Sequence, residues 1–69
     1  MFNRKAKKMI AEVLRRAYGK DVPVKEVVIT ENLGGTVSFL FHGREYAYEK
    51  WADRLTGSSR CSVFVVALA

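Results

Sequence analysis

The residue types that most often carry out chemistry are few in this sequence and stand far apart. His42 is the one histidine and Cys61 the one cysteine, and neither belongs to a spacing typical of a metal site. No nucleotide-binding or nucleophile motif is present. The carboxylates are scattered, without the pairing that an acid and a base need, unless the fold assembles such a pair. We therefore predict that the protein is not an enzyme and holds no metal or cofactor.

Basic residues are the other candidates for function, and they are unevenly distributed. Residues 1–20 hold seven cations against one acid, a balance of +6, and residues 21–69 hold five against six, a balance of −1, which together give the net charge of +5. The one acid of the first segment, Glu12, stands four residues from both Lys8 and Arg16, and we expect it to pair with them locally. This concentration of positive charge indicates an anionic partner for one surface.

The stretch NRKAKKMIAEVLRR places its basic residues on one side of a helix. At about 100° per residue, Arg4, Lys8 and Arg15 share a narrow sector opposite the apolar residues, and Lys5 and Arg16 flank that sector. Such a sector can neutralise phosphates along a nucleic-acid backbone. The alternative is an ordinary solvent-facing side, but such sides usually mix the two signs of charge more evenly. The predicted partner-binding residues are Arg4, Lys5, Lys8, Arg15 and Arg16.

Hydrophobic periodicity predicts the elements that position these residues. Apolar residues recur at spacings of three and four, which predicts an amphipathic helix from about residue 4 to about residue 18, ended by Gly19. The elements predicted after it are strands over residues 24–30, 36–42, 45–48 and 60–68, and a short second helix over residues 49–55. Because Gly43 accepts a positive φ, either His42-Gly43 or Gly43-Arg44 is expected to form a tight hairpin turn, with His42 at the surface. A longer helix from near Arg44 that replaces the third strand is the alternative.

These elements predict a single α+β domain over residues 1–69. The order is α-β-β-β-α-β, with a mostly antiparallel four-stranded sheet and the N-terminal helix packed on one of its faces. One face of the second and third strands is aromatic, and we expect it to form the core beneath the helix. If exposed, it would instead be a stacking platform for single-stranded bases. The residues of this face are Val37, Phe39, Phe41, Tyr46 and Tyr48.

Two further apolar features have alternative interpretations. Trp51 recurs at helical spacing with Tyr48 and Leu55, so we expect it in the core. If the short helix is peripheral, Trp51 and Arg54 form the kind of pair that anchors protein interfaces. The last strand, residues 60–68, is apolar on both faces, which indicates either a strand covered on both sides or a homodimer that hides one of them.

Cysteine content and length bound the class of protein. A single cysteine allows no intramolecular disulfide, which favours a reducing, cytoplasmic location. No apolar run reaches the ~20 residues of a membrane helix. The favoured function is a small non-enzymatic binding protein whose basic helix docks on a nucleic acid or a nucleoprotein complex. Two alternatives stay open. One is an inhibitor or adaptor of the kind that phages and mobile elements use to block a host complex such as a defence nucleoprotein, and the other is a structural homo-oligomer.

Overall fold

The structure, a computed structural model, describes residues 3–58 and 62–68 and contains one α-helix followed by a five-stranded sheet. The predicted α+β class is confirmed, but the sheet has five strands instead of four. The elements are the helix α1 Asn3–Tyr18, a 3₁₀ turn Val24–Glu26, and the strands β1 Val27–Leu33, β2 Thr36–Phe41, β3 Arg44–Glu49, β4 Arg54–Ser58 and β5 Val63–Val66.

The predicted N-terminal helix is confirmed and ends where the glycine indicated. The backbone N–H of Gly19 donates to the carbonyl of Arg15 at 2.7 Å, and Gly19 has a φ of 73°. A positive φ strains residues with a side chain, so glycine is suited to close the helix here. The helix therefore extends over the basic stretch without interruption.

The five strands form an antiparallel meander in the order β1-β2-β3-β4-β5. Two of its hairpins have two-residue loops in which both residues have positive φ, as type I′ turns require. One is the predicted turn of His42 and Gly43, and the other is Gly34 with Gly35. Successive side chains of each strand point to opposite faces, and the registers set by the hairpins align them into two faces of one sheet.

The predicted second helix over residues 49–55 is wrong, and so is the alternative of a longer helix. Glu49 ends β3, residues 50–53 form a turn, and Arg54 begins β4. The spacing between Tyr48 and Leu55 resembles a helical repeat, but it arises because these residues face each other across the hairpin. Strand pairing with β3 outweighs the local pattern, since it buries Leu55 completely.

Two strand predictions need correction at the sheet edges. The segment predicted as strand 24–30 begins with a 3₁₀ turn, and β1 starts at Val27 and continues to Leu33. Of the predicted strand 60–68, residues 60 and 61 lie outside the described residues, and only Val63–Val66 forms a strand. This strand is an edge and is not covered on both faces, because Val63 and Val65 are 71% and 67% exposed.

The predicted aromatic core is confirmed. Phe39 and Tyr46 stack with ring centroids 5.3 Å apart, and α1 covers them with Ile10 and Leu14. Phe41 is half-buried at the end of the same face. The face is therefore not a platform for bases. The buried core cluster comprises Ile10, Val13, Leu14, Val27, Val37, Phe39, Tyr46, Tyr48 and Leu55.

Gly57 leaves the space in which the ring of Phe64, from β5, packs against β4. Gly57 pairs with Tyr46 on one side and with Phe64 on the other. A Cβ atom at Gly57 would lie 2.6 Å from Cζ of Phe64 and 3.2 Å from Cε2 of Tyr46. Glycine is therefore needed at this position, because the Phe64 ring occupies the space that any side chain would fill.

Candidate functional site

The five predicted partner-binding residues all lie on α1, but the structure divides them into two groups. Arg4, Lys5 and Lys8 are exposed in the N-terminal half of the helix. Arg15 and Arg16 lie in the C-terminal half, where each contacts a carboxylate of the same chain. The sector predicted from the helical projection is therefore not one uniform basic surface.

Arg15 forms a local ion pair with Glu12. Its Nη2 lies 2.5 Å from Oε2 of Glu12, and its Nε lies 3.4 Å from Oε1. The hydrogen bond from Arg15 lowers the pKa of Glu12. We expected Glu12 to pair with Lys8 and Arg16. The hydrogen bonds that it accepts come instead from Nε and Nη2 of Arg15. The field of Arg15 is correspondingly reduced at the surface.

Arg16 connects the helix to the turn between β3 and β4. Its Nη1 and Nη2 donate to the two oxygens of Asp53 at 3.1 and 2.8 Å, and the hydroxyl of Tyr48 donates to the same carboxylate at 2.5 Å. The hydrogen bonds from Arg16 and Tyr48 lower the pKa of Asp53 to about 2. A planar guanidinium held by two parallel bonds is a positioning contact, so Arg16 fixes the helix against the sheet.

The N-terminal half of α1 has a different environment. Arg4, Lys5, Lys7 and Lys8 form no ion pair with another residue in the described ranges 3–58 and 62–68. The first turn of the helix contains no acidic residue. Because the N-terminus of a helix carries a partial positive charge, cations there reduce helix stability. This half of the helix is therefore a positively charged surface, and no acidic side chain of the described residues pairs with its cations.

Lys50, which is not among the predicted partner-binding residues, lies beside this surface. Lys50 and Lys5 line one shallow depression of about 430 Å³ together with Asn32 and Met9. The backbone N–H of Lys50 donates to the carbonyl of Gly35 at 2.9 Å, which attaches the β3–β4 turn to the β1–β2 hairpin. No spacing in the sequence indicates this neighbourhood, because it depends on two hairpins ending at the same side of the sheet.

Trp51 follows Lys50 in the same turn. The prediction that Trp51 lies in the core is wrong. Trp51 is 71% exposed, and its Cδ1 lies 3.4 Å from where a Cβ of Gly35 would stand. The guanidinium carbon of Arg54 lies 5.9 Å from the centre of the ring, within the range of a cation–π contact. The alternative interpretation of a peripheral Trp51 beside Arg54 therefore describes the structure better.

Two further polar contacts of the described residues involve the single histidine and a pair of tyrosines. Nε2 of His42 lies 2.6 Å from Oε1 of Glu26 on an exposed hairpin, and the imidazole stacks on Phe41 with centroids 4.0 Å apart. This agrees with the predicted surface turn. The hydroxyls of Tyr18 and Tyr46 are 3.0 Å apart, and burial with this hydrogen bond raises the pKa of Tyr18 to about 12. No group of three or more metal-ligating side chains occurs among the described residues.

Comparison of this chain with known protein families, with curated proteins and with solved structures finds no match. Among the helices of residues 3–58 and 62–68, none has the length and apolar character needed to cross a bilayer.

Proposed function

We propose that the protein binds nucleic acid through the N-terminal half of α1, with Arg4, Lys5, Lys8 and the neighbouring Lys50 contacting phosphates. The observation that carries the proposal is that Arg4, Lys5 and Lys8, in the half of α1 where the helix dipole is positive, and Lys50 beside them form no ion pair among the described residues. The arrangement costs helix stability when the surface is empty and favours a bound anion. Phosphates satisfy both the side chains and the dipole.

The C-terminal half of the helix contributes less to this contact. Arg15 and Arg16 already donate to Glu12 and Asp53, so a phosphate would have to compete with a carboxylate of the same chain. The proposal therefore narrows the predicted set of five residues to three and adds Lys50. Contacts of this kind position a protein on the backbone and select little among sequences.

A salt series tests the proposal. Fluorescence anisotropy of labelled oligonucleotides of mixed sequence is measured from about 20 mM to about 300 mM salt. Four phosphate contacts predict a slope of log K against log salt of roughly −3.6 on duplex and roughly −2.8 on single strands. Negligible binding at the lowest salt, or a slope near zero, contradicts the proposal. In that case the inhibitor or adaptor alternative, with acidic side chains in place of phosphates, is tested by capture from nuclease-treated lysate.

We also propose that the expected homodimer forms through β5, the part of residues 60–68 that the structure describes as a strand. No residue of Val63–Val66 is charged, whereas the opposite edge, β1, is bulged at Thr30 and carries Glu31. Bulges and charges protect sheet edges from pairing, and an uncharged edge strand lacks that protection. Two copies of β5 can therefore pair antiparallel about a two-fold axis without bringing charges together.

Matched lysine substitutions at the two edges test the dimer. Val65→Lys is expected to give a monomer in sedimentation equilibrium, because like charges would meet across the axis. Val28→Lys places the same charge on an exposed valine of β1 and is expected to leave the dimer intact. A wild-type protein that stays monomeric at high concentration contradicts this proposal, as does a dimer that Val28→Lys disrupts and Val65→Lys does not.

A further inference from the structure

We infer that the nucleic acid bound at this surface is single-stranded and that Trp51 stacks on one of its unpaired bases. The inference rests on the proposed function and specifies its substrate class. It begins from the position of Trp51 in the turn of residues 50–53, where 71% of the residue is exposed. An exposed indole offers a large planar apolar face on which an unpaired base can stack.

Trp51 lies beside residues of two hairpins. Its Cδ1 is 3.4 Å from where a Cβ of Gly35 would stand, and the guanidinium of Arg54 lies over its ring. The bond from the N–H of Lys50 to the carbonyl of Gly35, at 2.9 Å, fixes the turn immediately before Trp51. A ring positioned in this way loses little conformational freedom when a planar group stacks on it.

The cations around Trp51 connect it to the basic half of α1. Lys50 is its neighbour in the chain and shares the depression with Lys5. Arg54 lies over the ring, 5.9 Å from its centre, but its Nε donates to Oε1 of Glu49 at 2.5 Å, so we do not count it among the phosphate contacts. A strand whose base stacks on Trp51 therefore has Lys50 and then Lys5 for the adjacent phosphates. Aromatic rings within a basic groove are the general means by which proteins bind single strands without sequence preference.

The geometry favours a single strand over a duplex for a steric reason. Stacking requires access to the face of a base, and a paired base within a duplex already has both faces covered by its neighbours. A duplex could use the cations of α1 but could not engage Trp51 without the cost of unstacking a base step. Stacking on the Trp51 indole therefore adds affinity for single strands and not for duplexes.

The intrinsic fluorescence of the protein provides a direct test, because Trp51 is its single tryptophan. Titration of the wild-type protein with oligothymidylate is expected to quench this fluorescence, with the same dissociation constant as anisotropy gives. A duplex of equal length is expected to bind more weakly and to leave the fluorescence nearly unchanged. Binding of the single strand without quenching, or equal quenching by duplex, overturns the inference.

Substitutions provide a second and independent measurement. Trp51→Ala is expected to weaken binding of the single strand roughly 5- to 100-fold, the range that alanine substitution of a stacking residue gives. Trp51→Phe should retain part of the affinity. Leu33→Ala removes another exposed apolar side chain near the same end of the sheet and should not change binding. Circular dichroism checks that each variant is folded.

The outcomes separate this inference from the proposed function. If binding is salt-dependent but Trp51→Ala equals the wild type, the phosphate contacts stand and the stacking role is wrong. If no oligonucleotide binds at low salt, the proposed function fails and the inference fails with it. A fluorescence change confined to single strands, together with the loss in Trp51→Ala, supports both.

Discussion

Both halves of α1 carry basic residues, but those residues make different contacts. In residues 12–16, Arg15 and Arg16 donate to Glu12 and Asp53, and the second of these pairs attaches the helix to the sheet. In residues 4–8, the cations lie exposed or half-buried and form no ion pair with any residue of the described ranges. One half of the helix thus contributes its charge to the fold, and the other half leaves its charge available to a partner.

This difference shows why a count of charges is a poor measure of a binding surface. A cation with a carboxylate partner has little field left for an external anion, whereas a cation without one attracts it at full strength. Arg16 demonstrates the point, because its partner stands 37 positions away in the chain. We exclude Arg16 from the partner-binding residues because of a contact that forms only when the sheet has folded.

The largest effect that distinguishes the two halves is expected in binding. Lys5→Gln with Lys8→Gln should weaken binding of a single strand about 10- to 100-fold and reduce the salt slope by about 1.4, since two phosphate contacts are lost. Glu12→Gln with Arg15→Gln removes an ion pair at constant net charge and should change affinity less than about twofold. Anisotropy titrations compare the two. Equal losses would contradict the division of the helix.

The next largest effect is expected on thermal stability, and it concerns the C-terminal half of α1. Arg16→Gln is expected to lower the melting temperature by roughly 2–5 °C, because it breaks the contact between α1 and the β3–β4 turn. The double change at Glu12 and Arg15 affects only an exposed local pair and should shift it by less. Thermal unfolding followed by circular dichroism gives both values. A larger loss at Glu12 and Arg15 would show that the local pair is the structural one.

Acid titration should report the same contact. Because the folded pKa of Asp53 is about 2, below its usual 3.8, the ionised carboxylate stabilises the fold above pH 4. That stability is lost as the pH falls through about 2, when Asp53 becomes protonated. As the pH falls from about 5 to about 2, the free energy of unfolding should therefore decrease less steeply in Asp53→Asn than in the wild type. An Asp53 carboxyl that titrates near 3.8 by NMR would contradict the contact.

The smallest expected effect is a change in stability that distinguishes a binding role of the N-terminal half of α1 from a structural one. Lys5→Glu should raise the free energy of unfolding by roughly 0.3–1 kcal/mol, because an acid replaces a cation at the positive end of the helix. The same change should weaken nucleic-acid binding, since it places a negative charge among the phosphate contacts. Urea denaturation and anisotropy measure the two responses. A variant that loses stability as well as binding would indicate a structural role for Lys5.

Local patterns in the sequence were sufficient for several of these features. The helix, its glycine end, the hairpin at His42 and Gly43, and the aromatic core on β2 and β3 follow from a period of 3.6, a period of two and a turn dipeptide. Each depends on contacts or conformations within a few residues. The second helix failed for the same reason, because Tyr48 and Leu55 satisfy a helical spacing while they actually pair across a hairpin.

By itself, the sequence determined that a basic amphipathic helix packs on an antiparallel sheet and that most of the positive charge lies on that helix. Only the tertiary structure decided which cations form ion pairs and which do not, that Lys50 joins Lys5, and that Trp51 is exposed beside them. The physical reason is distance. An amphipathic pattern is determined by neighbours along the chain, whereas an ion pair or an exposed ring depends on which distant segments the strand register brings within a few ångströms.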